Sequence, residues 1–207
     1  MVILDGKKIS NDIKNEIALE VKSMTAKGNR PPHLAAIIVG NDGASLTYVG
    51  SKVRACERVG FDSSLISLSE SINENELLDK VNQLNNDDNI DGYIVQLPLP
   101  KHIDSQKILM SVDPEKDVDG FHPTNFGRMA LNLPTFISAT PYGIMELLKR
   151  YDVQTEGKHT VVIGRSDIVG KPISLLMGLK TNPGNSTVTM VHSRTKNIKD
   201  LIKQADI

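Results

Sequence analysis

Apolar residues recur every three or four positions at Ile9, Ile13, Ile17, Val21 and Met24, and this stripe predicts an amphipathic helix that ends near Lys27-Gly28, before Pro31-Pro32. Leu34-Ala-Ala-Ile-Ile-Val39 is a different pattern, a continuous apolar run stopped by Gly40, as in a parallel strand covered on both faces. After the turn cluster Asn41-Asp42-Gly43, helical spacing returns from Ala44 through Leu46, Val49, Val53, Cys56 and Val59 and stops at Gly60. Leu65-Ile66-Ser67-Leu68 predicts a second strand, and Asn73 with Glu76 forms a capping-box pattern ahead of a helix through Leu77, Leu78, Val81 and Leu84. Ile90 to Leu97 predicts a third strand, leaving through Gln96-Leu97-Pro98-Leu99-Pro100. Thr140 as N-cap and Pro141 at the first helical position open a helix with Ile144, Leu147 and Leu148 on its apolar side, ending near Tyr151. Thr160 to Ile163 is then a strand, Gly164 to Pro172 a turn, Leu175 to Met177 part of a helix, and Thr187 to Val191 a further strand. The alternation predicts an α/β fold with a mostly parallel sheet and right-handed crossovers. The helix after Thr140 reads as a bridge, which puts one domain at 1–139 and the start of another at 140–207.

The 207 residues are enough to bury a sizeable core, in one domain or two. With 39% hydrophobic and 24% charged residues the chain is ordinary for a soluble protein, and 24 basic against 25 acidic residues create no global field for nucleic acid or an anionic membrane. A small-molecule partner is therefore expected. The single cysteine, Cys56, lies on the apolar side of its helix and reads as a structural thiol. Met1 to Gly6 lacks the features of a secretory leader, and no apolar run reaches membrane-spanning length, which points to the cytoplasm. No Cys/His cluster has metal-ligand spacing.

The candidate chemistry begins on the second predicted helix. At roughly 100° per residue, Ser45, Tyr48 and Lys52 share a strip beside the apolar face. Partial desolvation of Lys52 there would disfavour its ammonium, a route to proton exchange near neutral pH; the pair equally fits a lysine stem snorkelling along a helix margin. Ligands of parallel sheets bind beyond the carboxyl ends of strands, where Gln96 is the last polar group of the third strand and Lys52 is within reach; a solvated strand-exit turn is the plainer alternative. Asp113 to Phe121 holds four acidic residues but lacks the ligand pattern of a calcium loop; one of its carboxylates could accept the paired N–H donors of a planar heterocycle, and a solvated acidic loop is the plainer alternative. The turn after Ile163 brings backbone N–H groups and a helix N-terminus toward a phosphate. His192-Ser193-Arg194-Thr195 ends the last strand with hydroxyls and an arginine in place of an acid, which favours the 2′-phosphate of NADP, and Arg165 adds a second cation. His192 is given no chemical role.

Four segments occur together in order and spacing: Tyr48-Val-Gly-Ser-Lys52, Val95-Gln-Leu-Pro-Leu-Pro100, Lys116-Asp-Val-Asp-Gly-Phe121 and Gly164-Arg-Ser-Asp-Ile-Val-Gly-Lys-Pro172. With Thr140-Pro-Tyr-Gly143 and His192-Ser-Arg-Thr195, the chain closely resembles the bifunctional methylenetetrahydrofolate dehydrogenase/cyclohydrolases over nearly its whole length. The resemblance implies a folate-binding catalytic domain at 1–139 and the start of a Rossmann-type NADP-binding domain at 140–207, ending before several of the family's further elements. It implies Lys52 as the proton-transfer group of the cyclohydrolase step, Tyr48 as the group packing on the folate, Gln96 as the partner tuning the lysine, and Asp119 as the carboxylate gripping the pterin. Val95 and Leu97 are implied beside Gln96 at the substrate, and Gly164, Arg165, Ser166, Ser193 and Arg194 at NADP. A homodimer is also implied. Ala139, Asp167 and Val191 depart from residues frequent in the family, outside the catalytic positions. A dehydrogenase without the second activity and a non-catalytic folate-binding fragment are the competing readings.

Overall fold

The structure, a computed structural model, describes residues 3–207. Met1 and Val2, on which the leader reading partly rests, lie outside the described residues. Two compact units divide the chain, Lys7–Val118 and Asp119–Ile207, with residues 3–6 grouped with the latter.

The first unit follows α1 (Gly6–Ala26) with a parallel three-stranded sheet of β1 (His33–Val39), β2 (Asp62–Leu68) and β3 (Gly92–Val95) in the order β2-β1-β3. The continuous apolar run is the central strand, which is why it carries no polar face. Ala35, Ile37 and Val39 pack with Tyr93 and Val95 against Leu77, Val81 and Leu84 of α3 (Glu74–Asn85). Ala36, Ile38 and Ile94 face the other way, onto Val49 and Val53 of α2 (Gly43–Val59). The capping box that opens α3 is complete: Asn73 Oδ1 accepts from Glu76 N at 2.9 Å, and Asn73 N donates to Glu76 Oε2 at 3.1 Å. A seven-residue helix, α4 (Ser105–Ser111), is capped by Asp104 and buries only Ile108, too little periodicity to signal it in the sequence.

In the second unit α5 (Pro123–Ala130) and α6 (Ala139–Arg150) precede β4 (His159–Ile163), α7 (Gly170–Gly178), β5 (Thr187–Val191) and α8 (Ile198–Lys203). β4 and β5 are parallel, and Met129, Met145, Leu148, Ile173, Leu176 and Met177 form the core beneath them. On the edge of β4 away from β5, Val161 N donates to Ile207 O at 2.8 Å and Ile207 N to His159 O at 3.2 Å, the bonds of a parallel bridge. The helix expected from Thr140 starts earlier, at Ala139 with Ser138 as N-cap. Pro141 fits the first turn without loss, because the N–H it lacks has no intrahelical acceptor there. α5 and α8, of eight and six residues, were not legible from periodicity.

Candidate active site

Asp42 caps α2, its carboxylate accepting from Ser45 N at 2.8 Å, and Gly60 closes the helix at φ 83° in the left-handed region that glycine tolerates. Among the residues of α2 whose burial is described, Ser45, Val49, Cys56 and Val59 are buried. Lys52 projects within roughly 20° of Ser45 on the helical wheel, so it rises from the buried strip itself, whereas Leu46 lies roughly 100° away and is exposed. Tyr48 is 58% exposed and Lys52 half-buried. Four residues apart, the two side chains meet, with Lys52 Nζ 5.1 Å from the centre of the Tyr48 ring. The electron-rich ring face attracts the ammonium. Burial in the same helix pushes the Cys56 thiol above its ordinary range, in keeping with a structural role.

β3 ends on the same side. Ile94 packs toward α2, and because side chains alternate along a strand, Gln96 two residues on also belongs to the α2 face. Gln96 N donates to Ile37 O at 2.9 Å, one bond beyond the strand, and its Nε2 donates to Leu97 O at 2.7 Å. Val95 and Leu97 turn the other way and join the α3-side core. Of the expected substrate residues in this unit, Tyr48, Lys52 and Gln96 thus share the α2 face, while Val95 and Leu97 underlie the strand end.

The acidic segment is held by groups that sequence reasoning missed. Asn85 Oδ1, at the end of α3, accepts from Tyr93 Oη at 2.6 Å and from Asp113 N at 2.9 Å, and its Nδ2 donates to Ser111 O at 2.8 Å. Lys116 Nζ donates to Leu84 O at 2.9 Å and Asp87 O at 2.7 Å, a cation on the carbonyl end of α3. Burial drives the Tyr93 phenol well above the ordinary tyrosine range, with the nearby Asp113 carboxylate adding to it. Tyr93 N donates to Lys116 O at 2.9 Å, and a side chain at Gly92 would overlap Val118 Cγ1, so residues 113–118 lie flat on β3. Asp117 is buried, and Asp119, half-buried, opens the second unit. No sequence motif announces Asn85; only its place at a helix end hints at a capping role.

The parallel register of β4 and β5 pairs Ile163 with Val191, so Gly164–Ser166 and His192–Thr195 emerge side by side at one sheet edge. This unites the expected cofactor residues Gly164, Arg165, Ser166, Ser193 and Arg194. Gly164 has φ +129° with open space where a side chain would stand; at Gly170 an added Cβ would lie 2.5 Å from Gly164 O, so α7 starts directly against the turn. Ser166 Oγ accepts from Val169 N and Gly170 N, both at 3.2 Å, and Lys171 pairs with Asp167. At the end of β5, His192 N donates to Thr195 Oγ1 at 2.8 Å and Arg194 N to His192 Nδ1 at 3.2 Å, the structural role left for this histidine. Arg165 and Arg194 are exposed and pair with no carboxylate among the described residues. Open ground over Gly164, the close approach at Gly170 and two available guanidiniums fit a dinucleotide carrying a 2′-phosphate.

Fold and geometry together define a two-unit α/β protein, with Lys52 beside Tyr48 on the parallel sheet of one unit and a dinucleotide-type strand, turn and helix in the other. Residues 4–119 match the tetrahydrofolate dehydrogenase/cyclohydrolase catalytic domain and residues 138–207 the NAD(P)-binding domain of the same family. The chain is 70% identical over all 207 residues to the bifunctional protein FolD of Flavobacterium johnsoniae, spanning 70% of that protein, and 58% identical to that of Bacteroides thetaiotaomicron, spanning 71% of it. Among solved structures it is similar to the bifunctional FolD enzyme of Campylobacter jejuni, with a TM-score of 0.94 and 45% identity, covering 100% of this chain and 72% of that one. The Trypanosoma brucei dehydrogenase-cyclohydrolase complexed with NADP cofactor and inhibitor gives a TM-score of 0.91 at 34% identity, covering 99% of this chain and 69% of that one. This chain belongs to the tetrahydrofolate dehydrogenase/cyclohydrolase family.

Proposed function

We propose that this chain catalyses the NADP⁺-dependent oxidation of 5,10-methylenetetrahydrofolate to 5,10-methenyltetrahydrofolate and the hydrolysis of that product to 10-formyltetrahydrofolate. The observation that carries the reading is Lys52, rising from the buried strip of α2 with its ammonium 5.1 Å from the Tyr48 ring centre, on the sheet face that Gln96 shares. Bound NADP⁺ supplies the hydride acceptor for the first step. In the second step water adds to the methenyl carbon, and Lys52 takes up and returns the protons as the ring opens. Tyr48 offers its ring face to the folate, Gln96 its amide to the lysine's surroundings, and Asp119 two carboxylate oxygens to the paired N–H donors of the pterin. Val95 and Leu97 support the strand end that presents Gln96. Gly164, Arg165, Ser166, Ser193 and Arg194 hold NADP⁺, the two arginines acting on the 2′-phosphate.

The functional partition places the folate-binding catalytic domain at 1–139 and the beginning of the NADP-binding domain at 140–207, consistent with family matches over 4–119 and 138–207. A homodimer, a cytoplasmic location and supply of formyl groups to purine synthesis complete the reading. Exposed Leu131, Ile163 and Ile202 give the second unit apolar surface for another copy to cover, and no described helix is long and apolar enough to cross a membrane.

The test is the decay of methenyltetrahydrofolate absorbance with the unsubstituted chain and with Lys52→Gln. Loss of a positioned proton-transfer group lowers the rate by roughly 10²–10⁴-fold, while loss of one cation–π contact costs about 0.5–1 kcal/mol and leaves the fold intact. Full cyclohydrolase activity in a folded Lys52→Gln would remove Lys52 from this role.

A further inference from the structure

Ser138 stands at the N-cap of α6, where a serine ordinarily accepts a hydrogen bond from the first helical turn. Here it makes no such bond. It is 3% exposed, and its hydroxyl donates to Ile168 O at 2.9 Å, thirty residues along the chain. Ile168 lies inside the turn between Gly164 and the start of α7, the segment that the preceding reading assigns to NADP⁺. The turn therefore has two hydroxyl clamps. Ser166 Oγ accepts from Val169 N and Gly170 N from within it, and Ser138 Oγ holds the carbonyl between those anchors from outside.

The backbone of the same residue meets the other substrate-binding segment. Gly120, next to Asp119, has φ +67°, and an added Cβ there would lie 2.6 Å from Ser138 N, 2.8 Å from Ile137 C and 3.1 Å from Phe136 O. The loop beginning at Asp119 thus rests directly on the backbone whose side chain grips the cofactor turn. A serine used only as a cap would have stayed within its own helix. Resting on the function proposed above, we infer that Ser138 is a positioning residue for the reaction, fixing the cofactor turn against the segment that carries Asp119.

Removing Oγ cuts the link to Ile168 and leaves the backbone contact with Gly120 in place, so the two sides separate experimentally. In the whole chain, Ser138→Ala should raise the Kd and KM for NADP⁺ about fivefold, the equivalent of one neutral hydrogen bond of about 1 kcal/mol. Dehydrogenase kcat and the cyclohydrolase rate should stay unchanged. Without cofactor, amide exchange at Val169, Gly170 and Lys171 should quicken severalfold, and Ser138→Thr, which keeps the hydroxyl, should restore slow exchange and NADP⁺ affinity. Unaltered exchange at these amides or an unaltered NADP⁺ Kd in Ser138→Ala overturns the inference. Equal loss of affinity in Ser138→Thr also overturns it, since the hydroxyl would then not be the operative group. An unsubstituted chain that binds no NADP⁺ at millimolar concentration overturns the reading of the turn itself, a failure visible before any substitution.

Discussion

Gly170→Ala sets two physical expectations against each other. In an exposed helix interior the change would add up to about 1 kcal/mol of stability. Gly170, however, is a buried first residue of α7, and its added Cβ would fall 2.5 Å from Gly164 O, 2.6 Å from Gly164 C and 2.7 Å from Arg165 N. All three are backbone atoms, so no side chain can rotate aside. Ordinary contact begins near 3.4 Å, which requires the turn or the helix end to retreat by about 0.9 Å, and such overpacking costs about 1–3 kcal/mol. The net effect is a destabilisation of about 1–2 kcal/mol, a fall in urea midpoint of roughly 0.5–1 M for a slope of about 2 kcal/mol per molar. Function should suffer more than stability. The same retreat moves the turn's N–H groups off a phosphate, and one lost charge-assisted hydrogen bond, about 1.5–3 kcal/mol, lowers NADP⁺ affinity tenfold or more. Gly164→Ala is the control for the packing cost in urea unfolding alone, because its Cβ would enter open space and only the φ +129° conformation costs stability; its NADP⁺ affinity should fall as well, since that open space is where the dinucleotide would lie. Urea unfolding and NADP⁺ titration of both variants decide the matter. A Gly170→Ala chain as stable as the parent, with undiminished NADP⁺ affinity, would refute the packing argument.

Gly120→Ala combines a left-handed φ with backbone overlap at Ser138 and Ile137, so it should cost about 2–4 kcal/mol and raise the folate KM more than the NADP⁺ KM; steady-state kinetics with each substrate varied, beside a melting curve, reads both, and equal KM changes would count against it. Tyr93→Phe should cost about 1 kcal/mol at pH 8 through the lost bond to Asn85. Because burial raises the folded-state pKa of this phenol, its contribution is complete below the unfolded value of about 10 and fades as the pH climbs beyond it. Urea midpoints at about pH 8 and pH 11 should therefore fall less in Tyr93→Phe than in the parent, and parallel losses would contradict the assignment.

What the sequence discloses is what is locally encoded. The run from Leu34 to Val39 is apolar without interruption because β1 is central and covered on both faces, so one glance at polarity places it. Asn73 and Glu76 satisfy each other within one helical turn, and Asp42 and Gly60 bound α2 by the same short-range logic. Leu46 shows where spacing alone misleads, since a residue three positions before Val49 can still fall outside the buried strip that Ser45 and Cys56 define. Asn85 was illegible for a different reason. Its partners Ser111 and Asp113 come from sequence separations of 26 and 28 residues, and an asparagine at a helix end is locally indistinguishable from a solvated one.

Chemical type and chemical environment also separate at the site. Lys52 and Gln96 are candidates by residue type and placement, Asp119 by the family resemblance, and the cofactor candidates by their place after parallel strands. The supports that hold them have no motif, because a support is defined by what lies across the fold. Lys116 stands next to the buried Asp117 and three residues before Asp119, yet its ammonium reaches back to the carbonyl end of α3. A lysine inside the acidic segment is thus that segment's anchor. Ser138 follows the same rule, standing at the N-cap position of α6 yet acting as a clamp by contact. Substitution of such supports should therefore leave the catalytic groups present but change the position from which they act, which is why their variants are best read through the separation of KM from kcat rather than through residual activity alone.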